Sequence, residues 1–312
     1  MSGAPPSGAK GVQSVCAVLV TYHPDIDRLE RALHAVRGQV GHVVVVDNAS
    51  GSRVREWLAM QSAKFGTEVM NMGENLGIAA AMNAGIEKAK ARGFSEVLLL
   101  DHDSIPAPDM VERLAEAKAR LQAEGVRVAA VGPEFRDEKY PGVLPFYRLD
   151  GWRIRRRSCA GSAPGFAVRA ECLITSGSLI SIEAVERIGP LESSLFVDYV
   201  DVEWGFRASS RGYLCFGVCG AVLDHQLGDA VKRVLGITAP VRSPVRHYYL
   251  FRNALLMFRR SYVPLRWKVG DAYRLLLKYV FYSLFAQPRL DHLRMMTLGI
   301  VHALINRSGR LA

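Results

Sequence analysis

Apolar residues cluster in short unbroken runs, and helix-like segments separate them. Val15 to Val20 sit in SVCAVLVTY (14–22), Val43 to Val46 in GHVVVVDNAS (41–50), and Val97 to Leu100 in EVLLLDHDSIP (96–106). A shorter run falls near 68–71. Between them, Ile26, Leu29, Leu33 and Val36 recur at helical spacing behind Asp25, and a second helix is predicted over 52–64. NLGIAAAMNAGIEKAKARG predicts a third helix, with alanines where it packs closely on a sheet. Continuously apolar strands alternating with helices predict a parallel sheet covered on both faces. Ligands of such sheets bind beyond the carboxyl ends of the strands. Tyr22, Asp47, Asn75 and Asp101 all fall there.

The second half is less regular. Residues 153–157 (RIRRR) with AGSAPG read as a loop, and LITSGSLISIEAVERIG as a strand, a turn and a helix. LFVDYVDVEWGFRASSRG predicts a helix with carboxylates at its entry, and YLCFGVCGAVLDHQLGD a strand pair leading to His225. VRHYYLFRNALLMFRR opens a helical region that continues nearly to the end.

Composition sharpens this picture. With 49% apolar residues over 312 positions the chain is globular, long enough for one large α/β domain and an extension. Its net charge of +10 is uneven: residues 231–312 hold 15 Lys or Arg against two Asp. The preceding 230 residues carry 25 basic and 28 acidic groups. A basic, aromatic-rich tail on a near-neutral domain calls for an anionic partner, nucleic acid or anionic lipid on charge alone. Five cysteines without CxxC spacing predict reduced thiols and no zinc site. The opening MSGAPPSGAKG lacks the basic start and apolar run of a signal peptide, which places the expected site on the cytosolic side of a membrane.

The candidate chemistry starts at Asp101-His102-Asp103. Were the chain extended there, both carboxylates would face one side, and a cation would relieve their repulsion. The competing reading is a helix N-cap. No GxGxxG follows the first strand and no GxxxxGK[ST] loop is present. Instead TYHP, VVDNAS, NLGIAAAMNAG and LLLDHDS follow one another over about a hundred residues.

That ordered set resembles glycosyltransferase family 2, the inverting enzymes of GT-A fold. DYVDVEWGFRA resembles the family's acceptor-side motif, with Asp201 at the catalytic aspartate and Glu203 at the second acid. Val200 stands where a glutamate is common, which leaves Asp198 as an alternative acid. DHQLGD resembles the late His-x-x-Gly that brings a histidine, here His225, to the metal. HYYLFRN matches the YYxxRN pattern of a branch that includes bacterial rhamnosyltransferases using dTDP-L-rhamnose. The resemblance spans roughly residues 15–260.

It implies a Rossmann-like mixed sheet flanked by helices over residues 13–255, divided at 105 into nucleotide-sugar and acceptor halves. A flexible tail (1–12) precedes it and a basic amphipathic helical extension (256–312) follows. It also implies one displacement from dTDP-L-rhamnose that inverts the β-linked donor to an α-L-rhamnoside, assisted by Mg²⁺ or Mn²⁺. Thr21, Tyr22, Asp47, Asn75, Gly77, Asn83 and Asp101 would bind the nucleotide sugar, and Asp103 and His225 the metal. Arg252, Asn253, Ser176 and Gly177 would serve diphosphate or acceptor, and Asp201 would act as general base.

The tail segments YRLLLKYVFYSLFA and LRMMTLGIVHALI fall short of the roughly 20 apolar residues a span needs. Helices lying on the cytoplasmic face of the inner membrane, or a cap on this domain or a second subunit, both fit. A homo-oligomer is therefore compatible. Arg266-Trp267 with Val263 departs from the Gln-x-x-Arg-Trp of processive synthases. A nucleotidylyltransferase would need a Gly-rich triphosphate loop after the first strand, and none is there. The expected partners are thus donor, a glycan or lipid-linked acceptor and an anionic membrane, with no nucleic acid.

Overall fold

The computed structural model describes residues 12–137, 140–224, 230–234 and 237–311. The first half alternates as the sequence predicts: β1 (Val15–Thr21), α1 (Ile26–Arg37), β2 (His42–Asp47), α2 (Ser52–Phe65), β3 (Glu68–Asn71), α3 (Ile78–Ala91) and β4 (Glu96–Asp101). Asp25 caps α1, its Oδ1 accepting from Arg28 N at 2.9 Å. β5 (Ile105–Pro106), α4 (Met110–Ala123) and β6 (Val128–Asp137) come next. Then follow β7 (Tyr140–Val143), β8 (Phe146–Asp150), β9 (Arg153–Arg157), β10 (Ala167–Ala170), β11 (Leu179–Ser181), α5 (Ile182–Ile188), a 3₁₀ turn (Ser193–Leu195) and α6 (Val200–Ser210). β12 (Leu214–Asp224), β13 (Ala230–Val234), β14 (Ile237–Val241), α7 (Pro244–Phe258), α8 (Leu265–Phe285) and α9 (Arg289–Leu304) complete the order.

The main sheet runs β10-β12-β6-β11-β4-β1-β2-β3. Strands β4, β1, β2 and β3 are parallel, whereas β11 runs antiparallel to β4 and β6. The sheet is therefore mixed. Alternate residues enter two cores: Cys16, Val18 and Val20 face one, Val15, Ala17 and Leu19 the other. Alanines 79, 81 and 89 of α3 are fully buried, and a Cβ on Gly85 would come within 2.2 Å of Val18. The predicted close approach of α3 to the sheet is thus present.

Five expectations change. Residues 153–157 form β9, an exposed arginine-rich strand paired with β8, rather than a loop. β12 is one strand rather than a pair, with an irregularity between Gly217 and Val222. In LITSGSLIS the strand follows the turn instead of preceding it. The thiols are not all reduced: Cys159 and Cys219, 60 residues apart, form a disulfide that ties the 158–165 segment to β12. The helical region starts at Pro244, so residues 255 and 256 lie inside α7. Among the described residues no helix is long and apolar enough to cross a membrane.

Candidate active site

The parallel registers set Thr21 beside Asp47 and Val20 beside Asp101, so the first-half candidates share the carboxyl edge of one sheet. Tyr22 is 44% exposed just past β1, its ring edge-to-face with that of His23 at 4.5 Å. Thr21 and Asp47 are fully buried. Thr21 Oγ1 donates to Asp47 Oδ1 at 2.8 Å, and Ser50 N donates to Asp47 Oδ2 at 3.1 Å. Both side chains bond within the protein, where the resemblance implies nucleotide contact.

Asn48 is a residue that sequence reasoning passed over. Its Nδ2 donates to Asn75 Oδ1 at 3.0 Å, and its Oδ1 accepts from Leu76 N at 3.0 Å. Asn75 Oδ1 also accepts from Gly77 N. Asn48 therefore pins the 75–77 loop to the end of β2; its place inside VVDNAS was the available signal. Gly77 adopts φ +88°, and a Cβ there would lie 2.4 Å from the Phe196 carbonyl oxygen. That oxygen accepts from Ile78 N at 2.9 Å, so the entry of α3 is stitched to the segment before α6. Asn83 belongs to the same seam. Its amide donates to Leu191 O and accepts from Leu191 N, so it clamps two segments rather than facing a nucleotide.

At the acidic corner β4 stops at Asp101 and the chain turns, with Ser104 N donating to Asp101 O at 3.1 Å. The extended arrangement imagined for Asp101 and Asp103 is therefore replaced by a turn. Neither acid caps a helix, since β5 follows and α4 begins only at Met110. Ser176, also fully buried, accepts from Asp101 N at 3.0 Å and lies 2.7 Å from Ser104 Oγ. It supports the corner from inside. Gly177, at φ +80°, packs against Pro133 and Leu223. Neither is an open acceptor contact.

Two carboxylates are hard oxygen donors of the kind Mg²⁺ and Mn²⁺ take. Among the described residues no group of three or more His, Cys, Asp or Glu could hold a metal alone. The pair fits a cation that shares its shell with other oxygens, such as a diphosphate. His225 lies outside the described residues.

Asp201 opens α6 in its first turn. It lines a small cavity with Thr175, Ser178, Leu191, Trp204 and Cys215. The 175–178 turn thus stands between Asp201 and the Asp101 corner. Burial pushes the Asp201 carboxyl up from 3.8 to about 6; Asp198 adds to the rise, while Val202 N and Arg242 oppose it. A carboxylate tuned this way is a competent base near neutral pH. The other acids are engaged. Asp198 is held by Arg242 at 2.7 Å and Arg246 at 2.8 Å. Glu203, fully buried, accepts from both arms of Arg207 and from Tyr262 Oη at 2.5 Å. It braces α6.

Arg252 and Asn253 are placed in the core, against the expectation of a diphosphate or acceptor contact. Both are fully buried. Arg252 donates to Leu195 O at 3.0 Å and Gly309 O at 2.5 Å, and its guanidinium lies over Tyr248 and Tyr249. Asn253 Nδ2 reaches the carbonyls of Leu195, Val197 and Asp198 at 2.9, 2.7 and 2.9 Å. Residues 196, 198 and 199 all have positive φ. This strained segment precedes Asp201 directly, and the RN pair of α7 holds its shape.

A mixed sheet of this order, with acids at the end of β4 and a half-buried acid at the start of α6, gives the chain GT-A architecture. The Glycosyl transferase family 2 profile matches residues 16–174. The chain is also 31% identical over 254 residues to the dTDP-rhamnosyl transferase RfbF of Shigella flexneri, covering 81% of this chain and 82% of that protein. It belongs to glycosyltransferase family 2. Similarity to the hexosyltransferase Agl10 of Haloferax volcanii is 24% over 94% of the chain and 92% of that protein. Among solved structures, S. aureus TarS 1–349 superposes with TM-score 0.56 at 12% identity, over 94% of this chain and 81% of that one. Mannosyltransferase PcManGT from Pyrobaculum calidifontis, in complex with GDP-Man and Mn²⁺, gives 0.52 at 18%, over 94% and 86%. These two likenesses speak to fold.

Proposed function

We propose that this enzyme transfers L-rhamnose from dTDP-L-rhamnose to a hydroxyl of a glycan or lipid-linked acceptor, with inversion in a single displacement. The observation that carries the donor assignment is the similarity to RfbF over four-fifths of both chains. Tyr22 stacks on the thymine face at the carboxyl edge of the sheet. The Asn48–Asn75–Gly77 loop brings backbone close to the diphosphate at the entry of α3. Asp201 takes the proton from the acceptor hydroxyl as its oxygen attacks the anomeric carbon.

Asp101 and Asp103, with His225 as a further ligand, would hold a divalent cation; Mn²⁺ accompanies the nucleotide sugar in PcManGT. Such an ion supplies charge stabilisation to a leaving diphosphate. The acceptor is reached at an anionic membrane surface on the cytoplasmic side. The test is release of dTDP from dTDP-L-rhamnose against UDP- and GDP-linked sugars, with Mg²⁺, Mn²⁺ or chelator. Release confined to dTDP-L-rhamnose and abolished by chelator supports the reading; preference for a UDP- or GDP-sugar removes the donor assignment.

A further inference from the structure

Helix α8 presents two unlike faces. Its charged residues lie off the most exposed face: Lys268 Nζ donates to Arg260 O, and Arg274, its side chain 38% exposed, pairs with the buried Asp271, while Arg266 and Lys278 are half-buried. The most exposed residues of the helix are all apolar or aromatic. Leu265, Val269, Tyr273, Leu276, Val280 and Leu284 recur at spacings of four, four, three, four and four, tracing one stripe along the whole helix. Leu265, Tyr273 and Leu276 are each more than 60% exposed. A stripe of this length on a folded surface marks something that covers it.

The neighbouring element identifies the cover. Gly270, at the edge of that stripe, faces Ile154 of the β8–β9 hairpin, where an added Cβ would come within 3.9 Å of it. The hairpin exposes Arg153, Arg155, Arg156 and Arg157, and among the described residues Arg155 pairs with Asp150 while the other three form no ion pair. Trp152, 72% exposed, sits at its turn. An apolar helix face flanked by arginines and a tryptophan matches an anionic bilayer interface, which accepts apolar side chains below and cations at headgroup level. A second copy of the chain fits worse. A two-fold contact would set this patch against itself, and α8 exposes no carboxylate to meet the arginines.

We infer that α8 lies in the plane of an anionic membrane through this stripe, with the β8–β9 arginines on the headgroups. The inner face of the same helix carries Asp271, which accepts from Tyr199 Oη at 2.7 Å, two residues before Asp201. Docking therefore occurs on the back of the helix that braces the catalytic segment. This deepens the proposed membrane-side acceptor, yet its test needs no donor. Failure of vesicle binding leaves the donor assignment intact, and the wrong donor leaves this surface intact.

The full chain is floated with vesicles of phosphatidylglycerol and phosphatidylcholine, or of phosphatidylcholine alone. Wild type co-floats with anionic vesicles and not with neutral ones. Leu276→Glu/Val280→Glu lowers binding at least about tenfold at unchanged Tm. Arg156→Gln/Arg157→Gln lowers it about fivefold per arginine on anionic vesicles. Trp152 fluorescence shifts to the blue on docking, and Trp152→Phe removes that shift. Equal binding of wild type and the glutamate variant overturns the inference, as does no wild-type binding. A concentration-dependent dimer that the glutamate variant dissociates assigns the stripe to a second copy and overturns it too.

Discussion

Replacing Asp201 by asparagine separates catalysis from stability at one atom pair. The carboxyl rises from 3.8 to about 6, chiefly through burial. At 1.36 kcal/mol per pKa unit this disfavours the charged form by about 3 kcal/mol. Asp201 keeps an intermediate exposure, so solvent screening lowers the figure to about 2 kcal/mol. The folded value lies above the unfolded one, so between about 4 and about 6 the folded chain holds the proton more tightly. Stability therefore falls as pH rises through that window and stays lower above it. Asparagine stays neutral throughout, and its Oδ1 can still accept from Val202 N, as Asp201 does at 2.8 Å. The expected variant is more stable than wild type by about 2 kcal/mol at pH 8 and equal to it near pH 4. Its kcat falls by about a hundred- to ten-thousand-fold with the donor KM unchanged. Wild-type kcat/KM rises through a pH near 6 to a plateau, in line with the raised carboxyl. Urea melts at both pH values and initial rates of dTDP release read all of this. A stability gap equal at pH 4 and 8 would show a solvated carboxylate, and a variant keeping more than a tenth of the rate would move the base elsewhere.

Other positions give independent checks. Asn253→Ala leaves the carbonyls of Leu195, Val197 and Asp198 without their shared donor. It should cost about 2–4 kcal/mol in a denaturant melt, and lower kcat more than donor KM. Gly77→Ala forces φ +88° on a Cβ that meets Phe196 O at 2.4 Å. It should cost at least about 3 kcal/mol and weaken dTDP binding by calorimetry. Asp103→Asn should raise the half-saturating Mn²⁺ concentration for dTDP release at least about tenfold, with Tm unchanged.

The first hundred residues were legible because their strands are buried on both faces, so apolar runs and helical periods do not compete. Edge elements lack that signal. β9 is RIRRR, its side chains exposed, and only its pairing with β8 makes it a strand. Glycines 217 and 220 made β12 resemble two strands, whereas they mark an irregularity within one. The site residues were legible as positions more than as roles. Asp201 lines a cavity and Tyr22 is exposed, so both are open to a ligand, but Arg252, Asn253 and Ser176 are fully buried and bond the protein itself. Burial is a tertiary property, and an arginine in YYLFRN reads as a ligand until the two tyrosines are seen under it. The Cys159–Cys219 pairing was hidden for the same reason, since 60 residues separate partners that β12 and the 158–165 segment bring together.

The C-terminal helices are therefore packed into the segment that leads to Asp201 rather than appended to the domain. Three elements converge on residues 195–199: α7 through Arg252 and Asn253, α8 through Asp271, and the entry of α3 through Ile78 and the space vacated at Gly77. Phe196 joins two of them, its carbonyl bonded to Ile78 N and its ring stacked 5.0 Å from Tyr249. Three non-glycine residues with positive φ there would relax without such restraint. The 75–78 loop and the segment that leads into Asp201 are thus held to one strained stretch of backbone. With Asp201 as the base proposed above, a sequence change in α7 or α8 should reach the reaction through that stretch, with no contact to either substrate.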